Sequence, residues 1–331
     1  MQEFGYNPDP RGNEIFLAEN TEKRKLSRAA IAVTVPCFVF FLVTEFFRDI
    51  ALFIGARLGY NEEKTLTFLS DPVNLQTVQI ALSLTLLIVP FAICVKIYGF
   101  NISSGAALNR PQKGTRVPFY LFGVGFCAFA NVAVAAAGRI FERFGLKDSS
   151  VGETKIDGIW GLLISLLATA IVPAIVEEFA FRGIVQGILL PFGEGLSVIG
   201  SAAVFGILHG NFEQIPFAFL VGLVLGFVRT KSGSLAICTA IHATNNAVAV
   251  LALYSGVLPT AIANVIYSVY ILLALTLAIL GVALVKKKDS FSLSAYEGVL
   301  PAKKRYVGFF FSFPFLAFFL VFLFRAVSKL F

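Results

Sequence analysis

Residues 158–192 read GIWGLLISLLATAIVPAIVEEFAFRGIVQGILLPF. The run shows no strand-like alternation, and it outlasts the roughly 20 apolar residues with which a helix crosses a bilayer. It predicts a membrane helix that is tilted, kinked near Pro173 or extended beyond the membrane surface. Three ionisable side chains, Glu177, Glu178 and Arg182, sit inside it. A charge at the bilayer centre costs about 2.5–3.5 kcal/mol even on insertion scales, so such residues mark a site by default.

The rest of the chain repeats the pattern. Of 331 residues, 57% are hydrophobic and 36 are Phe, which excludes a soluble globular domain. Apolar runs fall near 29–55, 73–98, 117–138, 158–192, 195–211, 213–229, 234–254, 260–285 and 307–328. Backbone polar groups in lipid must be satisfied internally, and long unbroken runs select helices over a closed barrel. The expected fold is all-α, a polytopic helical bundle of about eight or nine transmembrane helices. The runs at 195–211 and 213–229 are short for a full crossing. The predicted organisation is a polar cytoplasmic N-terminus at 1–28, three transmembrane helices in 29–157, a core at 158–255 and C-terminal transmembrane helices in 256–331. The polar stretch 286–305 reads as a connection.

Lys23, Arg24, Lys25 and Arg28 precede the first apolar run, which is too long for a cleaved signal. The lysines and arginines cluster at segment ends, with their excess on loops sharing the side of the N-terminus. This predicts a multi-pass protein of the plasma membrane with its N-terminus in the cytoplasm. That placement, despite a net charge of +7, argues against a nucleic-acid partner. Cys37, Cys94, Cys127 and Cys238 form no C-x-x-C pair and read as small buried hydrophobes. Asn131 reads as a packing polar group, and Glu45, Arg48 and Asp49 as interfacial.

Only two histidines occur, His209 and His242, both in apolar runs. If 158–192 and 195–211 form a hairpin turning near residue 193, Glu177 lies sixteen residues before the turn and His209 sixteen after it. At about 1.5 Å per residue each sits about 24 Å from the turn, so the two come level. Glu178 and Arg182 at i,i+4 form an intrahelical ion pair, whereas Glu177 points about 100° away and is the carboxylate to face a cavity. His242 and Asn246 are also at i,i+4, with Asn245 close to the same face. Imidazole and amide opposite a Glu/His pair could stabilise a developing oxyanion, which implies attack of water on a carbonyl. Phe205, one turn before His209, packs to hold that ring. Zinc is the rival use of Glu177, His209 and His242, although they come from three segments and no H-E-x-x-H occurs.

These residues resemble the CAAX-protease and bacteriocin-processing family of intramembrane peptidases, related to the type II CAAX prenyl-protein endoproteases. The matching elements are E-E-x-x-x-R at Glu177–Arg182, F-x-x-x-H at Phe205–His209 and H-x-x-x-N at His242–Asn246, with similarity extending over about 158–255. The resemblance implies peptide-bond hydrolysis in a membrane-associated peptide or protein, either prenylated CAAX-type or a peptide precursor. It implies that Glu177 and His209 activate the water, that His242 and Asn246 form the oxyanion site, and that Glu178 and Arg182 order the motif. No cofactor is expected, with zinc as the alternative. A non-catalytic binding, immunity or scaffold protein using the same cavity is the competing class.

Overall fold

The computed structural model describes residues 10–100, 114–143, 156–254, 259–288 and 291–329. These form twelve helices, and no strand occurs among the described residues. They are α1 (Pro10–Glu45), α2 (Phe47–Arg57), α3 (Glu62–Ser70), α4 (Pro72–Tyr98), α5 (Arg116–Arg143) and α6 (Gly158–Phe192). There follow α7 (Glu194–Leu208), α8 (Gln214–Ser232), α9 (Leu235–Tyr254), α10 (Thr260–Lys288), α11 (Ala302–Phe310) and α12 (Phe313–Ser328).

Seven helices are long and apolar enough to cross a membrane, and α11 with α12 makes an eighth if the pair is one span bent by 51°. The bend falls where Ser312 caps α12 by accepting from the Phe315 N–H, with Pro314 in the first turn. The expected run at 195–211 is not among the spans. Its helix α7 has 15 residues, about 22 Å at 1.5 Å per residue, against a hydrocarbon core of about 30 Å. The first apolar run differs as well. Its helix begins at Pro10, within the stretch read as a polar terminus, and breaks at Phe46 into the separate α2. Residues 1–9 of that terminus, and the expected boundary between 255 and 256, lie outside the described residues.

The turn expected near residue 193 is present. Gly193 adopts φ +106°, which L side chains rarely tolerate, and α7 starts at the next residue. The connection at 286–305 does more than link two helices. Glu194 accepts from the Ser294 N–H and hydroxyl, Glu22 accepts from the Val299 and Leu300 N–H groups, and Arg305 donates to the Phe192 and Leu300 carbonyls. This segment therefore straps the α6–α7 turn to α1 and α11.

Two apolar cores result. One joins α1, α4, α6, α7, α11 and α12; the other joins α5, α8, α9 and α10. Small residues allow the close approaches. Gly125 and Gly281 let the α5 and α10 backbones meet. On α8, Gly222 and Gly226 form a G-x-x-x-G stripe against α7, the small-residue device of helix pairs in lipid. A Cβ at Gly222 would sit 2.9 Å from the Ala202 Cα. Gly222→Val should therefore cost about 1–3 kcal/mol, the usual range for overpacking. Thermal unfolding in detergent measures it, and an unchanged midpoint would show that the α7–α8 contact is loose.

Candidate active site

The site lies where the two cores meet, and its local structure starts from Pro173. Proline has no N–H, so the carbonyl four residues earlier, on Thr169, loses its helical donor. The backbone opens into a π-helical turn over Leu166–Ile171 just before it. The Asn246 amide on α9 fills the gap, donating to the Thr169 carbonyl at 3.1 Å. Asn246 is held from its other side by Asn245 (3.2 Å), which in turn accepts from Asn131 on α5 (2.7 Å). Asn131, expected as a packing polar group, is thus the outer anchor of a three-amide chain. Asn246→Ala would remove this donor to the Thr169 carbonyl and should cost about 0.5–1.5 kcal/mol. Denaturant unfolding beside Asn246→Asp, which cannot donate from an ionised carboxylate, tests whether the amide hydrogen is the element that matters.

A second π-helical turn covers Glu178–Val185 and includes the acidic and basic members of the first motif. Such widened turns are rare and concentrate at functional sites. One carbonyl in it, Phe181, accepts from the Ser201 hydroxyl of α7 at 3.1 Å. Arg182 donates to Glu178 Oε1 at 2.9 Å, and both side chains are completely buried. Arg182 also donates to the Gly222 carbonyl (3.3 Å), and its guanidinium lies 4.3 Å from the Phe205 ring centroid. The expected intrahelical pair is therefore present, with additional contacts to α7 and α8. Gln186, one turn further along, donates to the Gly226 carbonyl and to Thr230, each at 2.9 Å. Sequence reading passed over Gln186. The signal available was its i,i+4 spacing from Arg182 and the matching four-residue spacing of Gly222 and Gly226.

His242 joins the pair from α9. Its Nδ1 is 2.8 Å from Glu178 Oε1, and its Nε2 is 3.8 Å from Glu177 Oε2. An ionised carboxylate only accepts, so Nδ1 carries the proton and Nε2 is the atom turned towards Glu177. The histidine thus sits between the two adjacent carboxylates. The Glu178 side chain is fully enclosed, whereas that of Glu177 remains 21% exposed.

His209 caps α7, and the chain turns away at Gly210 with φ +57°. Its Nδ1 is 2.8 Å from the Phe205 carbonyl, an acceptor, which makes Nδ1 the donor and leaves Nε2 as the basic nitrogen. The Phe205 ring is central to the arrangement, with centroids 4.9 Å from His209, 5.9 Å from His242 and 5.0 Å from Phe181. It packs against both imidazoles and beneath Arg182, rather than against His209 alone.

Among the described residues, no group of three or more His, Cys, Asp or Glu side chains could hold a metal ion. The set considered for zinc, Glu177, His209 and His242, is not among such groups; the Nδ1 contact of His242 with Glu178 leaves Nε2 as its remaining ligating nitrogen. The arrangement supplies a partly exposed carboxylate, two imidazoles and a charged triad that fixes one of them.

No curated protein and no solved structure matches the chain. Residues 159–248, which contain all three motifs and run from α6 into α9, match the family model described as type II CAAX prenyl endopeptidase Rce1-like, so this stretch carries the CAAX-protease signature that its motifs resemble.

Proposed function

We propose that the protein is an intramembrane endopeptidase that hydrolyses a peptide bond of a membrane-associated substrate, prenylated CAAX-type or peptide precursor, with a water activated at Glu177. The observation that carries this reading is the unequal use of two neighbouring carboxylates. Glu178 is buried and committed to Arg182 and His242, while Glu177 stays partly exposed and meets only the distant Nε2 of His242 among the ion pairs. A general base has to be reachable and not already committed. Glu177 meets that requirement and Glu178 does not.

Glu177 takes a proton from water as the water oxygen bonds to the scissile carbonyl carbon. His209, through Nε2, orients that water. The carbonyl electron pair moves onto oxygen, where the Nε2–H of His242 in its imidazolium form, its Nδ1–H held by Glu178, and the second amide hydrogen of Asn246 stabilise it. The proton held by Glu177 passes to the amide nitrogen, the C–N bond breaks, and a carboxylic acid and an amine are released. Glu178 and Arg182 act through His242 by fixing its ring. Phe205 positions both imidazoles. The scheme runs without a metal.

His209→Ala should lower kcat on a lipid-tethered peptide by about 10²-fold or more, the scale of a positioned acid–base group. The assay uses purified protein in proteoliposomes, with and without a chelator. Full activity of His209→Ala would overturn its role. Stoichiometric zinc that is lost in the same variant would overturn the metal-free scheme.

A further inference from the structure

A second site lies away from the histidines, under the short helices α2 and α3. With 11 and 9 residues they are about 16 and 14 Å long, too short for a core of about 30 Å. Ile50, Phe53, Ile54, Leu58 and Phe68 are nonetheless exposed on them, as on helices that lie in a membrane surface. Gly55 lets α2 close onto Thr65 of α3. Together with the ends of α1 and α4 they enclose a cavity of about 520 Å³. That falls within the roughly 300–1,000 Å³ typical of small-molecule sites.

The walls are hydrocarbon: Val43, Phe47, Ile54, Phe68 and Leu82 among them. Water needs two to four polar partners to occupy such a space, and these walls supply almost none. A hydrocarbon chain gains about 0.8 kcal/mol for each methylene it buries. The exposed lining residues that carry a polar group are Tyr60 and Lys64, whose ammonium lies 4.1 Å from the Tyr60 ring centroid. Arg48 pairs with the nearby Glu62 at 3.3 Å, and among the described residues Lys64 has no carboxylate partner. An apolar chamber with a single aromatic-held cation at its mouth complements an acyl chain that ends in an anionic group.

We propose that this chamber binds a phospholipid of the surrounding bilayer, with one acyl chain inside and its phosphate on Lys64. The inference rests on the membrane fold and does not depend on peptidase activity.

The test is photolabelling of the full chain in nanodiscs containing a phospholipid with a diazirine in its acyl chain, followed by peptide mapping. Labels should concentrate between residues 43 and 82 and fall about tenfold in Ala51→Trp, which fills the chamber, a change of about 1.4 kcal/mol. Lys64→Glu, on the exposed rim, should lower phospholipid labelling while leaving labelling by a diazirine fatty alcohol unchanged. Labelling no stronger than on the lipid-facing α10, or insensitive to both substitutions, would overturn the site. Equal loss of both probes in Lys64→Glu would overturn the phosphate contact.

Discussion

Arg182→Met is expected to be among the least stable single variants, losing about 3–5 kcal/mol, the cost of removing one partner from a buried ion pair. Arg182 and Glu178 are fully buried, and Glu178 Oε2 and Arg182 Nε have no hydrogen-bond partner among the described residues. The charges therefore rest on few contacts, and deleting the guanidinium leaves a carboxylate that neither lipid nor the two apolar cores can solvate. Removing both charges relieves that penalty. The double variant Glu178→Gln/Arg182→Met should recover most of the lost stability, yet stay impaired in catalysis because His242 then faces a neutral amide oxygen in place of the carboxylate charge. Thermal unfolding in detergent, beside a cleavage assay, separates the two effects. A single variant that melts with the wild type would show that the triad does not hold α6 to α8 and α9.

Glu177→Gln is expected to behave in the opposite way. The amide keeps the size of the carboxylate but cannot take a proton from water, so kcat should fall by about 10²–10⁴, the range for a general base. Stability should hardly change, because Glu177 stands outside the buried triad and meets His242 only at 3.8 Å. Glu178→Gln predicts lower stability together with lower activity. This contrast between adjacent residues of one motif is the sharpest consequence of the geometry. A large loss of stability in Glu177→Gln would assign that carboxylate a structural role instead.

Much of this arrangement is local and was legible in the sequence. Helical spacing predicted the Glu178–Arg182 pair, which is present, and counting from residue 193 gave the expectation that Glu177 comes level with His209. Both readings assume a regular helix, whereas the π-helical turn over Glu178–Val185 holds the pair and interrupts the count from residue 193 to Glu177. The contacts of His242 depend on how α9 approaches α6, which spacing within α9 cannot convey. Asn246 and His242 were read together as donors on one face. The fold gives Asn246 a second task, satisfying a carbonyl that Pro173 leaves open 77 residues earlier. Pro173 was read as a kink. That its missing N–H creates a docking point for another helix emerges only once α9 is in place.

The span count shows the same limit. Apolar content marked 195–211 as a membrane segment, but α7 ends at Leu208, where Gly210 with φ +57° and the Asn211 side chain, accepting from the Glu213 and Gln214 N–H groups, turn the chain into α8. The G-x-x-x-G stripe that lets α8 pack on α7 was visible as a motif, but its partner face on α7 was not. The strap at 291–301 was equally hidden, since Glu22 meets Val299 and Leu300 across most of the chain.

The most direct test of the central claim is mass spectrometry of a lipid-tethered peptide incubated with proteoliposomes of the purified protein, wild type beside Glu177→Gln. The account predicts one defined peptide-bond cleavage by the wild type, insensitive to chelators, and at most about a hundredth of that rate from Glu177→Gln in an equally stable fold. Cleavage by Glu177→Gln at the wild-type rate would contradict it.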